Sequence, residues 1–199
     1  MDVKQLLKEA MTVEAQAVQA LLGQIDDDYV AAIELLKSCQ GKVVITGVGK
    51  SGIIGKKMAA SFASTGTPAF FVHATEGVHG DSGMIGKDDV VILVSNSGET
   101  SEVLGMLPIL EQIGCKKMSI TRNHESTIAR ACDVSLAYKY EREADHLNLA
   151  PTTSAVLTLV IGDALAITLS QLKGFGPADF HRYHPGGSLG ALLSKTEPK

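Results

Sequence analysis

The sequence predicts an α/β fold, a sheet of parallel strands covered by helices on both faces, and three observations carry that prediction. Short β-branched runs recur at 42–46, 69–72, 90–95, 117–121 and 134–137. Amphipathic stretches around 53–64, 103–113 and 126–131 lie between them, and strands alternating with helical segments build βαβ units with a parallel sheet. The runs Val43-Val44-Ile45-Thr46 and Val90-Val91-Ile92-Leu93-Val94 are apolar without alternation, as strands buried on both faces are.

The remaining elements follow from spacing. Val3, Leu6, Leu7, Ala10, Met11, Ala17, Val18, Leu21 and Leu22 recur at intervals of three and four, interrupted at Glu14, and predict a helix at the N-terminus. A second helix is predicted over 28–39, its N-terminal end favoured by Asp26 to Asp28 and its end marked by Gly41. An apolar helix is predicted over 152–172. Its 155–169 stretch holds Asp163, Thr158 and Thr168 and is short for a bilayer, so it reads as a buried helix and no membrane partner is expected. The whole chain, 1–199, is read as a single domain: N-terminal helices (1–40), an α/β core (41–172) and a Gly-rich tail (173–199) carrying His184.

Composition narrows the function classes. Of 199 residues, 45% are hydrophobic and 20% charged, with a formal net charge of −4. No basic stripe is present to neutralise a phosphate backbone, so nucleic acid is not an expected partner. Cys39, Cys115 and Cys132 are widely separated and not in CxxC form. They read as reduced packing thiols of a cytoplasmic protein, in keeping with an N-terminus that lacks a secretory signal.

Chemistry is sought beyond the carboxyl ends of the strands, where open parallel sheets bind ligands. After the first strand, Gly47-Val48-Gly49-Lys50-Ser51-Gly52 matches GxGxxG, a dinucleotide signature. The second strand, however, ends in Phe70-Phe71-Val72-His73 without the acid that would hold a ribose, and Lys50 suits a phosphate or a reacting oxygen. A tight strand-to-helix turn without ligand is the plain alternative. After the third strand, Ser95-Asn96-Ser97-Gly98-Glu99-Thr100-Ser101-Glu102 places four hydroxyls around one glycine at a helix N-terminus. That is more than one N-cap needs and is the chemistry of a phosphate site.

Three further segments hold ionisable groups. In 73–81, His73 and His79 are candidates to contact sugar hydroxyls, with Gly77 and Gly80 letting the backbone approach a ligand; HxxExxH is not a ligand spacing, so no metal is required. Glu143, after the fifth strand, is placed to act as acid or base or to be an ordinary exposed carboxylate. His184 precedes Pro185-Gly186-Gly187, a stiff turn that would present its ring; His181 lacks that setting and is left structural.

Taken together, these segments resemble the sugar isomerase (SIS) domain family, and within it are similar to the arabinose-5-phosphate isomerases. The resemblance rests on Gly-Val-Gly-Lys-Ser-Gly at 47–52, Phe-Ala-Ser-Thr-Gly-Thr-Pro at 62–68, His-Gly-Asp at 79–81 and Ser-Asn-Ser-Gly-Glu-Thr at 95–100. Leu-Ala-Pro-Thr at 149–152, Gly-Asp-Ala-Leu-Ala at 162–166 and His-Pro-Gly-Gly-Ser-Leu-Gly at 184–190 complete it. It implies a three-layer, flavodoxin-like sandwich on a five-stranded parallel sheet, assembled as a homotetramer with active sites between subunits. It implies a catalytic set of Lys50, Glu102, Glu143 and His184 and no cofactor. Substrate contacts are implied at Ser51, Gly66, Thr67, His73 and His79, with the phosphate on Ser95, Asn96, Ser97, Gly98 and Thr100; metal near His73 would inhibit. Two departures stand out. The chain stops at Lys199, short of the paired regulatory CBS modules, and Arg-Glu-Ala-Asp-His-Leu-Asn at 142–148 replaces the usual Lys-Glu-Ala-Cys-Pro-Leu-Gly.

The expected reaction interconverts ribulose 5-phosphate and arabinose 5-phosphate through an enediol. A base takes the proton alpha to the carbonyl, with Glu143 or His184 as candidates. Lys50 would stabilise the enediolate oxygen. The alternatives are a non-catalytic phosphosugar-binding regulator and an isomerase of another pentose or hexulose phosphate.

Overall fold

The computed structural model describes residues 2–187. Strands β1 (Val43–Gly47), β2 (Ala69–His73), β3 (Val90–Val94), β4 (Lys116–Thr121) and β5 (Val134–Ala137) form one parallel sheet in the order β2-β1-β3-β4-β5. Each strand lies within one residue of the expected run. In the centre of the sheet Ile45 pairs with Phe71 on one side and Ile92 on the other.

Side chains of a strand alternate between faces, and the two cores divide accordingly. Val43, Ile45, Val90, Ile92 and Val94 join Leu36, Met58, Phe62, Leu157, Ile161 and Leu165 on one face. This face is covered by α2 (Asp27–Ser38), α3 (Gly49–Ser64) and α7 (Thr153–Leu172), with the end of α1 (Val3–Leu22). Val44, Val91 and Leu93 face the other way, onto Val103, Met106, Leu110 and Ile128. There α4 (Ala74–Val78), α5 (Ser101–Ile113) and α6 (Thr127–Arg130) form the third layer. Each fully buried Val, Leu or Ile contributes about 1.5–3 kcal/mol by leaving water.

The α7 helix is the apolar stretch that meets the length of a membrane span. Its Leu157, Ile161, Leu165 and Leu169 are buried against the sheet and the neighbouring helices. At about 1.5 Å per residue the helix is roughly 30 Å long, and it runs from one end of the sheet to the other. Near its start Ser154 and Thr158 share a cleft with Lys50 and Asn96; just past its end Lys173 Nζ bonds Thr67 Oγ1 at 2.9 Å.

Three segments differ from expectation. Residues 73–81 are not an open loop: α4 follows β2 directly, and a 3-10 turn spans Asp81–Met84. Gly77 is buried in α4, where a Cβ would fall 2.4 Å from Met106 Sδ, so the glycine permits helix packing and not the approach of a ligand. The start of the Gly-rich tail forms α8 (Pro177–Tyr183), with Pro177 in its first turn and the Asp179 carboxylate accepting from Gly176 N at 3.0 Å. Residues Ser188, Leu189 and Gly190 of the His-Pro-Gly-Gly motif lie outside the described residues. Finally, α1 buries only Leu21, and its stripe stays open to solvent, with Val3 66% and Met11 68% exposed.

Candidate active site

The chain leaves β1 toward β2 on one side and returns through β3 on the other, so the crevice of this sheet opens between the carboxyl ends of β1 and β3. Both loops there end in helix N-termini. After β1 the chain turns at Gly49 (φ 56) into α3, with Ser51 in the first turn and the Lys50 side chain exposed. The N-cap residue Val48 makes no side-chain cap bond. After β3, Thr100 is the N-cap of α5, and it too makes no side-chain cap bond to the helix. Two helix ends therefore offer uncapped N–H groups to one crevice, an arrangement that attracts anions.

The hydroxyls of the 95–100 loop are not used as caps. Ser95 Oγ and Thr100 Oγ1 lie 2.7 Å apart, Gly98 N donates to Ser95 Oγ at 3.1 Å, and Glu99 N donates to Ser97 Oγ at 3.1 Å. Gly98 adopts φ 69, and a Cβ there would meet Ser126 Oγ at 2.1 Å, so only glycine lets the loop close this way. The Glu99 carboxylate accepts from Thr127 N at 2.7 Å, which ties the loop to α6. Lys50, Ser51, Asn96, Tyr138, Ser154 and Thr158 line a shallow cleft beside these loops.

Glu102, in the first turn of α5, is exposed. Its own backbone N–H and the Ser101 hydroxyl hold its carboxyl below the ordinary range, and the His73 ring adds a smaller pull. His73 closes β2 with Nδ1 buried and without a hydrogen-bond partner among the described residues; His79 is exposed at the end of α4. Among the described residues no three His, Cys, Asp or Glu side chains gather into a metal cluster.

Glu143 is a different kind of carboxylate, only 6% exposed. Oε1 accepts from the Tyr140 hydroxyl at 2.9 Å, and Oε2 accepts from Thr152 N at 2.8 Å and Ser154 N at 3.1 Å. Burial pushes its pKa up. The N–H groups of Ser154 and Thr152 and the Tyr140 hydroxyl outweigh that effect and hold the carboxyl below its ordinary range. Glu143 thus supplies the negative charge at the start of α7. The altered segment after β5 supports it: Asn148 takes φ 54 and accepts from Glu143 N at 2.7 Å, the left-handed conformation that Asn tolerates where Gly is usual. Asp145 accepts from Leu149 N and Ala150 N, both at 3.1 Å.

The other expected residues lie at the opposite rim. Gly66 and Thr67 precede β2, at the amino end of the sheet. Thr67 is buried and its hydroxyl is taken by Lys173. Gly66 (φ 92) packs so tightly on Phe175 that a Cβ would fall 2.4 Å from the ring. Phe175 meets Phe180 edge-on, and His184 stacks on Phe180 with centroids 4.0 Å apart. His184 Nδ1 lies 3.1 Å from the Phe180 carbonyl oxygen, so the ring packs on α8. Among the described residues no hydrogen bond or ion pair joins His184 to Lys50, Glu102 or Glu143. One chain therefore brings Lys50, Ser51, His73, Glu102, Glu143 and the 95–100 loop to the carboxyl rim, and gathers Gly66, Thr67 and His184 at the amino rim.

A family model for the SIS domain matches residues 36–168. The chain belongs to the SIS domain family. Among curated SIS relatives it is 54% identical over 185 residues to the arabinose 5-phosphate isomerase KdsD of Pseudomonas aeruginosa, covering 92% of this chain and 57% of the relative. It is 49% identical over 192 residues to KdsD of Escherichia coli K12, covering 96% of this chain and 58% of the relative. The chain thus spans little more than half the length of these relatives. Among solved structures, a protein of Escherichia coli CFT073 in complex with arabinose 5-phosphate superposes with a TM-score of 0.90 at 53% identity, covering 93% of this chain and 100% of that one. A protein of Bacteroides fragilis NCTC 9343 gives a TM-score of 0.89 at 34% identity over 94% of this chain and 99% of that one.

Tyr138, Ser154 and Thr158 also line the cleft and were missed from sequence, as was Tyr140, which bonds Asn96 and Glu143 beside it. The alternation Leu136, Tyr138, Tyr140 beyond β5 was a usable signal, since it puts these rings on one side. Their polar partners come from the loop after β3, from the segment after β5 and from α7, and are not visible in the linear order.

Proposed function

We propose that this SIS domain is an aldose–ketose isomerase of a phosphorylated pentose, interconverting ribulose 5-phosphate and arabinose 5-phosphate. The single observation that carries the reading is the pair of uncapped helix ends converging with Lys50 on the hydroxyl loop 95–100. The phosphate docks on Ser95, Ser97, Thr100 and Ser51. Lys50, an exposed cation one loop away, stabilises the enediolate oxygen, and Glu102 orients the substrate. The relatives' KdsD activity and the arabinose 5-phosphate complex of a 53% identical protein support the choice of sugar.

His184 enters the same reaction from a neighbouring copy, with Gly66 and Thr67 packed behind it at the amino rim. The roughly 30 Å of α7 separates them from Lys50 within one chain, and a homotetramer with sites between subunits brings opposite rims together. The exposed stripe of α1, with Val3, Leu7 and Met11 open, is the face that such an assembly would cover. His184 then assists ring opening or carries the proton, while Glu143, held ionised, is suited to accept a proton only from an acidified carbon. Residues 1–199 act as one domain of a cytoplasmic enzyme whose cysteines, Cys39, Cys115 and Cys132, are free thiols.

The test is incubation of the purified chain with a panel of pentose and hexose phosphates in heavy water. Deuterium at C1 or C2 of one pentose phosphate is expected. Tight binding of a sugar phosphate without exchange would make the chain a phosphosugar-binding regulator, and exchange into a hexulose phosphate alone would move the substrate.

A further inference from the structure

We propose that Tyr140 is a positioning residue that locks the 95–100 loop and the Glu143 carboxylate into one hydrogen-bonded unit, so that the loop's hold on a phosphate depends on that carboxylate. The proposal rests on the phosphosugar reading above. An ionised carboxylate only accepts hydrogen bonds, so the Tyr140 hydroxyl must donate to Glu143 Oε1, 2.9 Å away. Its oxygen then accepts from Asn96 Nδ2 at 3.0 Å. This fixes the amide: Asn96 Oδ1 faces Tyr138, whose hydroxyl donates to it at 3.0 Å. Every donor along the path is oriented by the charge at one end.

The other end of the path is the loop itself. The Asn96 carbonyl accepts from Arg122 N at 3.0 Å and Thr121 Oγ1 at 3.2 Å, so Asn96 is held at its backbone and at both ends of its amide. Sequence position put Asn96 among the substrate contacts; the structure commits its side chain to this network. The Tyr140 ring is held apart from its hydroxyl, stacked on Tyr138 with centroids 6.1 Å apart and covered by the Arg122 guanidinium 5.2 Å from its centroid. Removing the hydroxyl alone should therefore leave the ring in place.

The polarity argument also predicts what a neutral side chain does. In Glu143→Gln the single oxygen is claimed by the N–H groups of Thr152 and Ser154. The amide NH2 is left facing Tyr140 and reverses the chain of donors.

The experiment measures binding of inorganic phosphate by calorimetry to the wild-type chain, Tyr140→Phe, Glu143→Gln and the double variant. Each single change is expected to weaken binding about three- to tenfold, the scale of one ordinary hydrogen bond, and the double variant is expected to bind no worse than either single. Effects that multiply, or single variants that bind as the wild type does, overturn the proposal. Should Tyr140→Phe fail to fold, the Asn96 side-chain amide resonances of wild type and Glu143→Gln decide instead: a shift supports the coupling and identical resonances refute it. Phosphate binding that obeys this pattern in a chain that isomerises no sugar would sink the isomerase reading and leave the coupling standing; turnover with multiplying effects would do the reverse.

Discussion

The two rims of the sheet are built from the same kinds of residue to opposite ends. At the carboxyl rim two helix N-termini stay uncapped: Val48 and Thr100 make no side-chain cap bonds, and Lys50 projects into solvent. At the amino rim the comparable residues are consumed by packing. Thr67 is bonded to Lys173, Gly66 lies against Phe175, and His184 stacks on Phe180. A glycine or threonine in a motif therefore reveals little until its rim is known. At one end it borders the open crevice, at the other it holds the fold.

The sharpest way to break this comparison is complementation. Lys50→Ala should lower kcat/KM about 10²- to 10³-fold through loss of charge stabilisation, with the melting temperature unchanged because the side chain is exposed. His184→Gln should also be severely impaired. Refolded together, the two variants should regain activity, since some sites then combine an intact carboxyl rim with an intact amino rim. Activity no greater than that of the separate variants would mean that one chain supplies both.

Smaller effects report on the rims singly. Gly66→Ala forces a side chain into the Phe175 ring at φ 92 and should cost about 1–3 kcal/mol of stability, read by denaturant melts. Glu143→Gln leaves one oxygen for the helix N–H groups but removes the buried charge and turns a donor toward Tyr140, and should cost about 1–2 kcal/mol at neutral pH. Its pH dependence has a defined sign. Glu143 is held below its ordinary value of 4.5 in the folded chain, so it stabilises the fold fully above about that pH. That stability is lost as pH falls through the lower, folded-state value. Acid melts of Glu143→Gln should therefore be flatter than those of the wild type below pH 4.5. Lys173→Met, which loses only the bond to Thr67, should cost about 0.5–1 kcal/mol.

Most of the sheet was legible because buried parallel strands are written as unbroken runs such as Val90–Val94, and turns punctuate them. The 95–100 loop stood out because its hydroxyl density exceeds what capping needs. The division between rims was partly available too: Gly66 and Thr67 come just before the second strand, which alone places them at the amino end. Motif resemblance does not carry that geometry, since it collects residues by family and not by chain. Helix α8 was signalled by Gly176, Pro177 and Asp179 but hidden by the glycines around it. The Tyr138–Asn96–Tyr140 network was not legible, because it joins residues more than 40 positions apart through hydroxyls that a sequence presents as ordinary aromatic positions.

Helix α7 carries a metric consequence. It is a rod with one tip beside Lys50 and Asn96 and the other next to Lys173 at the amino rim, so its residue count sets how far apart the two rims stand and how they are rotated. One added residue in its middle would advance the far tip about 1.5 Å and swing it by roughly 100°. The same insertion in the loop after α6 would be absorbed locally. Helix length in this protein is a ruler that fixes the distance and the rotation between its two rims.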